Sequence, residues 1–146
     1  MDNKFDWVGE RSKCSVASIF ENLKTQIEGD VKRRNALHGT SETPPPYQFH
    51  FGIENDTISV RLEGSNLLQS VSFRLRRNTI EVLDHERKPM FTGTATLNND
   101  GECRIKVNAE ELTSWQFRKK ALEYLFFVAP DEYIAANNER FAFYKP

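Results

Sequence analysis

Four ionic side chains fall at alternate positions of strand-like segments: His50 in YQFHFGI, Arg61 in ISVRLE, and Arg74 and Arg76 in VSFRLR. Successive side chains of a strand point to opposite faces of the sheet, so this spacing gathers the four on one face. Gln48, Arg104 and Lys106 join them by the same alternation. Such a face suits an anion, because a guanidinium presents a rigid fork of N–H donors to carboxylate or phosphate. Glu63, Glu81 and Glu102 are interleaved on it, however, and opposite charges across strands also stabilise a sheet with no ligand present. Nucleic acid is disfavoured as the partner. The strand aromatics alternate to the other face and leave no stacking platform. The 20 Lys+Arg are balanced by 21 Asp+Glu for a net charge of -1, whereas phosphate binding draws on a basic excess.

Other chemistry has little support. His38, His50 and His85 have no partner at metal-ligand spacing, so no metal is expected. There is no glycine-rich phosphate loop, nucleophile elbow or HExxH. No cofactor is expected, and the reading leans away from an enzyme. Cys14 and Cys103 form no ligand pair and are expected as free, semi-buried thiols of a reducing compartment, with Cys103 facing the core. The segment MDNKFDWVGERSK lacks the apolar centre of a signal peptide, and no stretch is long enough to span a bilayer. The expectation is a cytoplasmic protein that does not enter membranes.

Association is the stronger prospect. Trp7, with Phe5, and the C-terminal Tyr133, Phe141, Phe143 and Tyr144 are more aromatic than a solvated tail needs. They form a candidate interaction surface, either for self-association as a homodimer or for another protein. PPPY, Pro44 to Tyr47, matches the short pattern read by WW domains, although Tyr47 also fits as the first inward residue of a strand. A third prospect lies inside. Phe20, Phe49, Phe51, Phe73, Phe91 and Phe117 are expected inward, and Gly93 and Ala95 leave thin places on the same face. A cavity between sheet and helices would take a small apolar ligand.

These residues need elements to position them. After a polar lead over residues 1–12, Val16, Ile19, Phe20, Leu23, Ile27, Val31 and Leu37 share one helical face and predict a helix over 13–38. Ser12 or Ser15 supplies its N-cap and Gly39 its stop. Lys32, Arg33 and Arg34 suit the C-terminal end of the dipole. A proline-rich connector covers 39–46, and strands fill 47–107. The turn ENDT pairs Ile53 with Ile58, Phe51 with Val60 and Phe49 with Leu62, and sets His50 opposite Arg61. A second hairpin around Arg77-Asn78 pairs Leu75 with Ile80, Phe73 with Val82 and Arg74 with Glu81. In the third, a loop ending in Gly101 pairs Leu97 with Cys103 and Ala95 with Ile105.

A last helix is predicted over 113–129, ahead of an aromatic tail at 130–146. Thr113 and Gln116 have the spacing of a capping box, with Leu112 and Phe117 as its hydrophobic staple. Trp115, Leu122, Leu125 and Phe126 form the apolar stripe, flanked by Arg118 and Lys119. Pro130 ends it. Arg118 to Lys120 thus belong to a structural helix rather than to a nucleic-acid reader.

The expected fold is a single α+β domain. A six-stranded antiparallel, meander-like sheet is covered on one face by an N-terminal and a C-terminal helix, either as two layers or with the sheet strongly curved around the C-terminal helix. The leading functional expectation is a non-enzymatic module acting through protein–protein contacts. The alternatives are an apolar-ligand binder or enzyme built in the cavity, and an anion or nucleic-acid surface on His50, Arg61, Arg74 and Arg76.

Overall fold

The computed structural model describes residues 4–37, 47–64 and 67–132. Two helices come first, α1 (Trp7–Lys13) and α2 (Val16–Ala36). The helix expected over 13–38 is α2, and the polar lead before it carries a short helix of its own, α1. Asp6 caps α1 by accepting from the Gly9 N–H. Ser15 then takes an extended conformation and accepts from the Ser18 N–H, which starts a new helix there. Leu37 does not share the buried face. The position three residues after Val31 and seven after Ile27 belongs to Arg34, which is buried, while Leu37 lies just past the helix end and is exposed.

Seven antiparallel strands follow in sequential order, making one meander: β1 (Tyr47–Glu54), β2 (Thr57–Gly64), β3 (Leu67–Arg76), β4 (Thr79–Leu83), β5 (Pro89–Leu97), β6 (Cys103–Val107) and β7 (Glu110–Leu112). The sequence predicts six. The seventh is reached through Asn108 and Ala109, where Asn108 takes the left-handed conformation at φ 55° that asparagine tolerates. The expected registers hold: Ile53 pairs with Ile58, Phe49 with Leu62, Phe73 with Val82, and Ala95 with Ile105. Gly101 closes the third hairpin at φ 76°. Helix α3 (Ser114–Phe127) starts on the expected capping box of Thr113 and Gln116. Its apolar stripe differs at one position, since Trp115 turns outward and is exposed.

Helices α2 and α3 cover one face of the sheet. Phe20, Leu23 and Ile27 from α2 and Phe117, Ala121 and Leu125 from α3 join Phe49, Ile58, Leu62, Phe73, Ile80 and Ile105 from the strands in one core. The thin place at Gly93 is filled. A methyl group there would stand 2.7 Å from Ile105 Cγ2 and 2.8 Å from Phe117 Cε1, so the ring of Phe117 seats where a side chain would otherwise be.

Cys14 and Cys103 are not free thiols. They form a disulfide with Cα atoms 5.4 Å apart across a sequence separation of 89. Their distance in sequence hid this, because only the folded meander brings the start of β6 to the α1–α2 junction. Cys14 is buried, whereas Cys103 is exposed and stands at the margin rather than in the core.

The two large helices run side by side in the same direction. Three polar bridges climb both in the same order: Ser114 donates to Gln26, Arg118 to Asp30, and Arg34 to the carbonyl of Phe126. On α2 these residues are spaced by four, one line along the helix.

Candidate functional site

The outward sheet face has the predicted membership. Its cations are closely matched by carboxylates. His50 Nε2 lies 3.3 Å from Glu63, which also receives Arg61 at 3.3 Å. Glu81 receives both Arg74, at 3.1 Å, and Arg76, at 2.8 Å. The structure thus brings these four residues together in two groups, each centred on a glutamate of the same face. Glu81 is the cross-strand partner of Arg74, and such pairs are ordinary sheet chemistry.

A different surface is open. Where α2 and α3 lie together they leave a crease of about 720 Å³. Its α3 wall is made by Trp115, Arg118, Lys119, Leu122, Glu123, Phe126 and Phe127, of which Trp115, Lys119, Leu122 and Phe126 recur at helical spacing and Phe127 stands to one side. Its α2 wall includes Asp30, Arg33, Arg34 and Leu37. Helix α3 thus has two apolar aspects. Phe117, Ala121 and Leu125 press on the sheet, while Leu122 and Phe126, at the edge of the same core, show their outer side to the crease. Trp115 is 58% exposed, Phe127 54% and Leu37 67%. Leu122 and Phe126, both part of the core, form the apolar floor between these exposed side chains, and apolar residues gathered around one floor differ from scattered ones.

Arg34 is the keystone of this region. Helix α3 gives way at Val128 to a further helical turn that contains Pro130. Proline has no N–H, so the carbonyl of Phe126, four residues earlier, loses its helical donor. Arg34 Nε supplies one at 2.8 Å. Its Nη2 donates to the Tyr47 hydroxyl at 3.1 Å. The same guanidinium sits 5.1 Å from the ring centroids of both Phe49 and Phe127, which favours the cation. One buried side chain therefore joins α2, α3 and β1.

Asn35, next to it, holds the edge strand. Its amide donates to the Phe49 carbonyl at 2.9 Å and accepts from the Phe49 N–H at 3.0 Å, standing in for a neighbouring strand. Arg118, expected as a flank of the apolar stripe, is largely buried against Asp30 at 2.6 Å, and its Nε has no partner among the described residues. On the exposed side of α3, Tyr124 donates to Glu132 at 2.6 Å, and that bond, first, raises its pKa above the ordinary phenol value.

Of the other predicted positions, Trp7 is exposed on α1, which buries none of its residues. Tyr133, Phe141, Phe143 and Tyr144 lie outside the described residues, as do His38, Gly39 and Pro44 to Pro46. Tyr47 packs against the core as the first residue of β1. His85 stands beside Glu86 at 3.9 Å. Among the described residues no group of three or more His, Cys, Asp or Glu is placed to hold a metal, and no helix is long and apolar enough to cross a membrane.

The crease was missed at the sequence level, although a signal existed: α3 has more apolar residues than one buried stripe needs. No family model matches the chain, and comparison with curated proteins and with solved structures gives no match.

Proposed function

We propose that this protein is a non-enzymatic binding module that docks an α-helix of another protein in the crease between α2 and α3. The observation that carries this reading is the crease itself, floored by Leu122 and Phe126 and rimmed by exposed Trp115, Phe127 and Leu37. Exposed aromatics around a concave apolar floor are the composition of binding hot spots. A helix is the fitting occupant. Both walls are helices whose backbone groups are already bonded internally, so they offer an extended peptide no main-chain partners. A helix satisfies its own backbone and needs only side-chain anchors. The cavity alternative has less support, because Phe117 fills the space above Gly93. The anion alternative has less as well, because Glu63 and Glu81 already occupy the cations of the sheet face.

The compartment is part of this reading. The sequence alone points to cytoplasmic residence, but a Cys14–Cys103 disulfide is a bond that an oxidising compartment sustains and a cytosolic thiol pool reduces. We therefore favour an oxidising environment for the working protein.

The docking reading is tested by site-specific photo-crosslinking in the native source. A crosslinking phenylalanine analogue is placed at Trp115, at Leu37, or at Gln48 on the sheet face. The expected result is one discrete adduct with a second protein from positions 115 and 37 and none from position 48. Equal adducts from all three positions, or none from the crease, would overturn the reading. A crosslink to a second copy of this chain would replace the partner with a homodimer.

A further inference from the structure

From the charges around the crease we infer the chemistry of the partner: an amphipathic helix whose apolar anchors are flanked by carboxylates. This rests on the docking reading above and adds what selects the helix. The crease is lined by four cations, Arg33, Arg34, Arg118 and Lys119, against two carboxylates, Asp30 and Glu123. It therefore carries an excess of two positive charges on a chain whose net charge is -1. The carboxylates present are already engaged. Asp30 receives both Arg33 at 2.7 Å and Arg118 at 2.6 Å, and Glu123 receives Lys119 at 3.2 Å. Arg34 meets a carbonyl and a hydroxyl instead of a carboxylate among the described residues.

Position separates the roles of these cations. Arg34 is buried and Arg118 largely so, and both hold the two helices together. Arg33 and Lys119 are exposed, one on each bank. A helix lying along the crease would set its apolar face between Trp115 and Phe127 and bring its flanking side chains over Arg33 on one side and Lys119 on the other. Arg33 then exchanges a shared carboxylate for one of its own. The span of α3 from Trp115 to Phe127 rises about 18 Å, so the crease matches roughly three turns of the partner, with anchors at i, i+3 or i+4, and i+7. Complementary charge of this kind sets selectivity and association rate more than total affinity.

The test uses the full chain and two fluorescein-labelled synthetic peptides of equal length. Both have the same leucines at helical spacing, and they are flanked by glutamates in one and by lysines in the other. Fluorescence anisotropy is expected to show the glutamate peptide binding at least tenfold more tightly, with the difference shrinking as salt rises. Arg33→Glu with Lys119→Glu, both exposed positions, should reverse the preference. Equal binding of both peptides, lost together in Trp115→Glu, would refute the charge selection while leaving helix docking intact. Failure of both peptides to bind would sink the docking reading itself. Binding that appears only in the full-length Phe141→Ser/Phe143→Ser variant would identify the chain's own tail as the occupant and overturn the inference.

Discussion

At the residue scale the decisive side chain is Arg34, and its role follows from a proline far away in sequence. Pro130 removes the donor that the Phe126 carbonyl would have had, and the Arg34 Nε replaces it from another helix. An unsatisfied buried carbonyl costs about 1–3 kcal/mol, and the lost contacts with Phe49 and Phe127 add about 0.5–2 kcal/mol. Arg34→Met keeps the aliphatic stem and removes both, so urea unfolding should show a loss on the order of 2–4 kcal/mol. The proline link makes a sharper check. In the Arg34→Met background, Pro130→Ala returns an N–H to Phe126, so that substitution should recover part of the loss; in the wild type it should gain little. Equal effects of Pro130→Ala in the two backgrounds would disprove the coupling. Sequence reading places Arg34 with Lys32 and Arg33 as a cation suited to the helix end. That much is consistent with its position, but burial depends on where α3 and β1 arrive, and local spacing does not encode this.

At the element scale the hairpins were legible because two local signals agree: alternating apolar residues set the face, and the turn residues set the register. The capping box of α3 was legible for the same reason, with Thr113 and Gln116 in one short window. β7 was missed because three residues carry too little alternation, and its turn rests on a single Asn108. The crease was missed because Trp115 fits a helical stripe equally well whether that stripe meets the sheet or the solvent. Gly93 marks the opposite case, in which an apparent gap is a contact. Glycine inside a strand ordinarily costs about 0.5–1 kcal/mol relative to alanine, so Gly93→Ala at an open site would stabilise. Here the added methyl meets Ile105 and Phe117 at 2.7 and 2.8 Å, and overpacking of this kind costs about 1–3 kcal/mol. Destabilisation is expected in the wild type, and it should be smaller in a Phe117→Leu background, where the ring is gone. An unchanged penalty there, read from urea midpoints, would mean that Phe117 is not what Gly93 accommodates.

At the scale of the whole molecule, the disulfide ties the α1–α2 junction to the start of β6 and encloses α2 and the first five strands, while the core residues of α3 lie outside the closed loop. Its sequence separation of 89 is long, and a closed loop of that size restricts the unfolded chain by about 4–5 kcal/mol in the loop-entropy treatment. For a chain of this size, a loss of that order lowers Tm by about 8–20 °C. The folded state should change little on reduction beyond the region of α1, because α1 buries no residue of its own and the core under α2 and α3 does not use either sulfur. Cys14→Ser/Cys103→Ser should therefore keep the circular dichroism of the parent and bind a docked helix with equal affinity, while melting earlier. The parent treated with dithiothreitol should melt where the double variant does. Intact mass without reductant supplies the independent check, since the bonded chain is lighter by two hydrogens. If the untreated protein carries both hydrogens and its Tm ignores the reductant, the pair is not bonded in solution, and the preference for an oxidising compartment falls with it. If the bond forms and its loss also abolishes docking, then α1 is part of the binding surface, and the crease between α2 and α3 is not sufficient by itself.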